Sequence, residues 1–180
     1  DLLGWPGVVT TPEADQSEIQ QAALGLLQEA LQDFVANRER EGQMLNDIII
    51  DRLDKIDAQV TVVRQHLPEI LQAQKEKLLA RLEEISANVD QERLEQEIVY
   101  LAQKSDVDEE LDRLETHVKE VRRALKQGGA VGRRLDFLMQ ELNREANTLG
   151  SKSINTLTTQ AAVELKVLIE QMREQIQNIE

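Results

Sequence analysis

Glu141 and Glu145 stand four residues apart, and Arg133 and Arg134 open the segment that carries them. On a helix, positions i and i+4 share a face, so the two carboxylates project side by side and repel by a few tenths of a kcal/mol. A divalent cation or an arginine relieves that repulsion, and an all-oxygen pair favours Mg²⁺ or Mn²⁺. The alternative is plain ion pairing, with Arg134 seven residues before Glu141 or with arginines on another helix. His117 is the second chemical element. Glu110 lies seven residues before it and Arg113 four before it, so helical spacing puts all three on one side. A histidine facing a carboxylate has a defined tautomer and an adjustable proton affinity, which suits general acid–base work. Against that stands the alternative of a half-buried histidine in a polar helix interface. The only other histidine, His66, adjoins Leu67 and Pro68 and reads as a surface residue at a helix end.

The charge distribution singles out the same region. The chain of 180 residues has a net charge of −13, which argues against nucleic-acid binding through bulk charge. Residues 1–120 hold 27 acids against 12 bases, whereas residues 121–152 hold seven bases (Arg122, Arg123, Lys126, Arg133, Arg134, Arg144 and Lys152) against three acids. Arg122, Arg123 and Lys126 have a second explanation as complements of a helix C-terminus. Arg133 and Arg134 do not, because they sit at the positive end of a helix dipole. That end, with its free N–H groups, is where phosphates bind.

These side chains need long helices to position them. Pro (3) and Gly (8) are rare, aromatics number four, and Glu, Gln, Leu, Arg, Lys and Ala dominate, the profile of long helices or coiled coils. With no Cys there is no disulfide scaffold and no thiolate metal site, which fits a reducing compartment. No apolar run approaches the ~18 residues of a membrane span. Residues 1–16 read as a linker, and residues 17–180 as a helical domain. A first helix is predicted from Ser17 to about Gln65, with the stripe Leu27, Leu31, Phe34/Val35, Leu45, Ile48/Ile49, Leu53, Ile56, Val60, Val63. Gly42 interrupts it, at a cost of roughly 1 kcal/mol relative to Ala, which implies a close backbone neighbour or a break. Pro68 is expected to start a second helix, in the first-turn position that proline favours. A third covers 91–104. Asp106 with Glu109 reads as a capping box before a helix striped by Val107, Leu111, Leu114, Val118, Val121 and Leu125, ending at Gln127–Gly129. The next helix, to about Gly150, buries Val131, Leu135, Leu138, Leu142, Ala146 and Leu149. The last, 155–179, has the less regular stripe Val163, Val167, Ile169, Arg173, Ile176. There is no strand signal, so the fold class is all-α: long antiparallel helices in hairpins or a coiled-coil-like bundle, associating with other chains.

Phosphate-loop, HExxH and nucleophile-elbow motifs are absent. Four scattered aromatics make no stacking platform of the kind that single-strand-binding sheets use, so nucleic-acid contacts are expected mainly through phosphates and arginine forks.

The stretch 132–153, GRRLDFLMQELNREANTLGSKS, combines a regular apolar stripe with an unusual polar complement of arginines, amides and carboxylates. It resembles the C-terminal signature of the bacterial YicC/YloC family, described as stress-associated endoribonucleases. The resemblance continues through ERLEQEIVYLAQ (92–103), SDVDEELDRLETHVKE (105–120) and ELKVLIEQMREQIQNIE (164–180), and more weakly through REREG (38–42) and GWPGV (4–8). It implies a C-terminal portion of a larger α/β-plus-α protein, cytoplasmic and homo-oligomeric, with a hexamer described for the family. The implied activity is endonucleolytic cleavage of structured or small RNA by a divalent-metal-assisted or His/Glu acid–base mechanism. The catalytic candidates are His117, Glu110, Glu141 and Glu145, with Glu141 and Glu145 as ligands of Mn²⁺ or Mg²⁺. The RNA-binding candidates are Arg133, Arg134, Arg144, Lys152 and Arg38. Neither a membrane nor DNA is an expected partner. The alternative from another class is a non-catalytic helical oligomerisation scaffold or RNA-binding adaptor.

Overall fold

A computed structural model describes residues 2, 5, 16–85, 99 and 107–177. The described chain is helical, without strands: α1 (Ser17–Ile85), α2 (Asp108–Gln127), α3 (Gly132–Lys152) and α4 (Thr156–Gln177). It divides into two units, Asp1–Gln43 and Met44–Glu180.

In the first unit, the part of α1 that begins at Ser17 leaves its apolar row in solvent: Leu24, Leu27, Leu31, Phe34 and Val35 are all more than half exposed. Arg38 lies over the Phe34 ring, 5.6 Å from its centroid.

The second unit is an antiparallel four-helix bundle. From α1 it buries Ile49, Leu53, Ile56, Val60, Val63 and Leu67, and from α2 Val107, Leu111, Leu114, Val118 and Val121. Both sets step by alternating threes and fours, the spacing that keeps a narrow seam facing its neighbours in a bundle. From α3 come Leu135, Leu138, Met139, Leu142, Ala146 and Leu149. Ion pairs fix the direction of each neighbour. Arg64 of α1 reaches Asp112 (2.7 Å) and Glu115 (3.1 Å), while Arg122 of α2 reaches back to Asp54 (2.7 Å) and Asp57 (2.9 Å). Arg134 of α3 pairs with Glu120 of α2, and Arg173 of α4 with Asp136 of α3. Arg52 donates to Gln171 of α4 at 2.9 Å, which closes the ring of four.

Several expected boundaries differ. α1 runs straight through Pro68. Proline removes one backbone hydrogen bond and crowds the preceding turn, a cost of about 3 kcal/mol. Pro68 faces solvent, however, while Val63, Leu67 and Ile70 stay buried on either side of it. Continuous burial along that face outweighs the lost bond. His66 is consequently mid-helix, exposed, with Nδ1 2.9 Å from the Val62 carbonyl oxygen. Gly42 neither breaks α1 nor admits a neighbour: a Cβ built there meets nothing within 4 Å. α2 starts from Val107, which makes no side-chain cap hydrogen bond, and the Glu109 carboxylate accepts from Arg113. Asp106 and the predicted 91–104 helix, apart from Val99, lie outside the described residues.

α4 shows the largest correction. Val163 and Val167 are exposed and Arg173 is only half-buried, whereas Thr158, Ala161, Ala162, Leu165, Leu168, Ile169, Met172 and Ile176 are buried. Small residues win the inner face because α3 passes close by: a Cβ at Gly150 would stand 3.4 Å from Ala162 Cβ. The α2–α3 turn uses its glycines as the sequence implies. Gly128 (φ 65°) and Gly129 (φ 81°) take up left-handed backbone, which costs glycine nothing.

Candidate active site

The α2–α3 hairpin positions the polar cluster. Leu114, Val118 and Val121 hold α2 against the core, which turns His117 half-outward at the edge of the buried stripe. Leu138, Leu142, Ala146 and Leu149 do the same for α3, and place Glu141 half-buried and Glu145 buried along its edge toward α2. Ligand atoms of His117, Glu141 and Glu145 all lie within 4.8 Å of one another. Among the described residues, neither His117 nor Glu141 has a side-chain hydrogen bond or ion pair, and Arg134 is turned away from Glu141 to Glu120 (2.8 Å) and Gln127 (3.0 Å). Glu145 is only 3% exposed.

One cation reaches the cluster. Arg113 Nη1 lies 3.6 Å from Glu145, while its Nη2 donates to Glu109. The hydrogen bond to Glu109, and then the charges of Glu109 and Glu145, hold the Arg113 guanidinium above its ordinary proton affinity. It is therefore a permanent partial counter-ion to a buried carboxylate, loosely placed because Glu109 holds its other arm. A buried carboxylate needs such compensation.

Glu110 stands apart from the three-donor group. Its carboxylate is buried and held by Lys152 Nζ at 3.0 Å (Oε1) and 3.1 Å (Oε2), an ion pair that ties the start of α2 to the end of α3. The structure thus joins one catalytic candidate to one RNA-binding candidate in a partly buried pair. Of the remaining candidates, Arg134 is engaged as described, and Arg122 and Arg123 pair with Asp54, Asp57 and Glu120. Arg133 and Arg144 are exposed and make no ion pair among the described residues. The first turn of α3 has no acidic residue and no side-chain cap for its free N–H groups. Arg38 belongs to the first unit.

One imidazole nitrogen and two carboxylate oxygens within mutual reach match the donor preferences of Mn²⁺, and more weakly those of Mg²⁺. The same groups, without a metal, make a histidine–carboxylate set for proton transfer.

A helical hairpin carrying a histidine and two carboxylates, beside arginines unpaired among the described residues, is the candidate site. Residues 63–180 match the family described as "Endoribonuclease YicC-like, C-terminal", and residues 1–47 match "Endoribonuclease YicC-like, N-terminal region". The chain belongs to the YicC-like endoribonuclease family. A protein of Haemophilus influenzae named "Probable endoribonuclease YicC" is 58% identical over 180 residues, covering 100% of this chain and 63% of the relative. A protein of the same name from Clostridioides difficile is 33% identical over 187 residues, again covering 100% and 63%. The chain therefore spans 63% of the length of these curated relatives. Among the described residues, no helix is long and apolar enough to cross a membrane.

Proposed function

We propose that the intact protein is an endoribonuclease whose chemistry is carried by His117, Glu141 and Glu145, working in the cytoplasm as a homo-oligomer, with a hexamer as the expected state. The observation that supports this most is the convergence of those three donors within 4.8 Å, two of them without a side-chain partner among the described residues. Glu141 and Glu145 hold a divalent cation, Mn²⁺ or Mg²⁺. Bound there, the cation supplies electrostatic stabilisation of a phosphoryl oxygen. Among the described residues His117 has no competing hydrogen bond to fix its ring, so either nitrogen is open to take a proton from an RNA 2′-hydroxyl or a water. Glu145, buried and only loosely met by Arg113 at 3.6 Å, turns its carboxylate to the same point. Arg133 and Arg144, exposed and unpaired, grip phosphates, while Lys152 and Glu110 brace the hairpin.

The test is cleavage of a structured RNA by the intact protein with and without chelator. His117→Ala is expected to cut turnover at least ~100-fold, the usual worth of a general acid–base group, while RNA affinity and Mn²⁺ affinity are kept. Loss of Mn²⁺ binding in that variant instead makes His117 a ligand. Unchanged turnover removes it from the chemistry. The alternative is a non-catalytic scaffold or RNA-binding adaptor, favoured by the exposed apolar row of the first unit. Absence of cleavage by the intact protein under every metal condition would establish that alternative.

A further inference from the structure

Phe137 breaks the pattern of α3. Every other large apolar side chain of that helix is buried, yet Phe137 is 57% exposed. At about 100° per residue, Arg133 four residues before it and Arg144 seven after it fall within roughly 40° of the same direction. Those two arginines are exposed and make no ion pair among the described residues, whereas Arg64, Arg113, Arg122, Arg134 and Arg173 are all engaged by carboxylates. Asp136, next to Phe137 in the sequence, is itself taken up by Gln140 (2.9 Å) and Arg173 (3.7 Å). Glu141 lies one turn along from Phe137, and Glu145 one turn further toward α2. The exposed row therefore runs beside the His117–Glu141–Glu145 cluster on the same helix.

An aromatic ring offered to solvent between two free guanidiniums, on a chain of net charge −13, is complementary to a polyanion with flat apolar faces. A duplex satisfies the phosphates but hides the faces of its bases. An unpaired nucleotide offers both. Resting on the endoribonuclease reading above, we propose that Arg133, Phe137 and Arg144 form a track for a single-stranded segment of the RNA. In it Phe137 stacks on one unpaired base, and the arginines hold the flanking phosphates. Phe137 is thereby the residue that selects unpaired over paired RNA beside the cluster.

The experiment measures binding by fluorescence anisotropy with the intact protein, in chelator so that nothing is cleaved. The probes are a labelled single-stranded oligoribonucleotide, the same strand with one base removed at successive positions, and a blunt RNA duplex, all at one salt concentration. Phe137→Ala is expected to weaken single-strand binding about tenfold, the scale of one base–aromatic stack, and to leave duplex binding unchanged. Phe137→Trp restores it. Removing one particular base weakens binding to the wild type but not to Phe137→Ala. Arg133→Gln and Arg144→Gln each lower the salt slope by about one. The inference is overturned if Phe137→Ala binds single strands like the wild type, if it loses both probes equally, or if no base removal matters. It is also overturned if the variant changes only the oligomeric state, which would make the ring a contact with a second copy. If the wild type binds no RNA at all, the proposed function falls with it; if the wild type binds and cleaves while Phe137→Ala is indistinguishable, this inference alone falls.

Discussion

Arg113 decides how strongly the cluster attracts a cation. Its guanidinium is shared between Glu109 and Glu145, with the firmer bond to Glu109. Removing the arm that competes for Glu145 should tighten metal binding, and releasing the arm that restrains it should do the reverse. Arg113→Met is therefore expected to raise Mn²⁺ affinity several-fold, and Glu109→Gln to lower it, in a titration followed by the Mn²⁺ paramagnetic resonance signal. Equal affinities in both variants and the wild type would show that Arg113 does not bear on the cation. The carboxylate pair and His117 were legible in the sequence, because i, i+4 spacing and the edge of an apolar stripe specify direction along one helix. Their meeting across two helices was not, since it depends on how α2 and α3 register. For the same reason spacing alone put Glu110 with His117, whereas the folded chain gives Glu110 to Lys152, a partner 42 residues away. Phe137 escaped notice because one aromatic among many polar residues carries no periodic signal; only its exposure marks it.

At the scale of elements, the boundaries show what periodicity can and cannot decide. The seams of α1 from Ile49 onward, of α2 and of α3 follow a regular three-four step in large aliphatic residues, and they are buried as the pattern implies. α4 has two competing stripes, one of valines and one richer in alanine. Hydrophobicity favours the first, but the close approach of α3 near Gly150 selects the second, a steric fact held in another helix. Pro68 and Gly42 carry strong local penalties that long-range burial or simple helix continuity overrides. Gly42 then becomes a place where stability is easily added. Its surroundings are open and its backbone helical, so Gly42→Ala is expected to stabilise α1 by up to about 1 kcal/mol. The measurement is a chemical-denaturation midpoint, which should rise. A fall would mean that Gly42 is covered by a partner or must bend in use. Core truncation works in the other direction. Leu142→Ala empties a fully buried position directly behind Glu141, and a loss of 2–5 kcal/mol is expected, measured by the same denaturation curve.

At the scale of the whole molecule, the two units differ in how they treat their apolar residues. The second unit encloses most of them, with Phe137, Val163 and Val167 among the exceptions; the first leaves Leu24, Leu27, Leu31, Phe34 and Val35 in water. An exposed apolar row of that length is expected to serve as an association surface, and repetition of the chain is the simplest way to cover it. Light scattering at micromolar concentration is expected to report a multimer, and Leu27→Glu with Leu31→Glu to dissociate it. A monomeric wild type would leave the row to a different partner. The relatives are longer than this chain, so the intact protein is the one to weigh.

The hairpin that carries the cluster has one more consequence. His117, Glu141 and Glu145 come from consecutive helices joined by residues 128–131 alone, with glycines at the turn. The loop to be closed is short, and short loops close early and cheaply. The candidate cluster is thus local in the chain: packing α2 on α3 is enough to bring its three donors together, with no residue of α1 among them. A nascent or partly opened molecule that keeps this hairpin keeps its donors in register. Damage to distant helices should accordingly erode stability well before it erodes the arrangement of the three side chains.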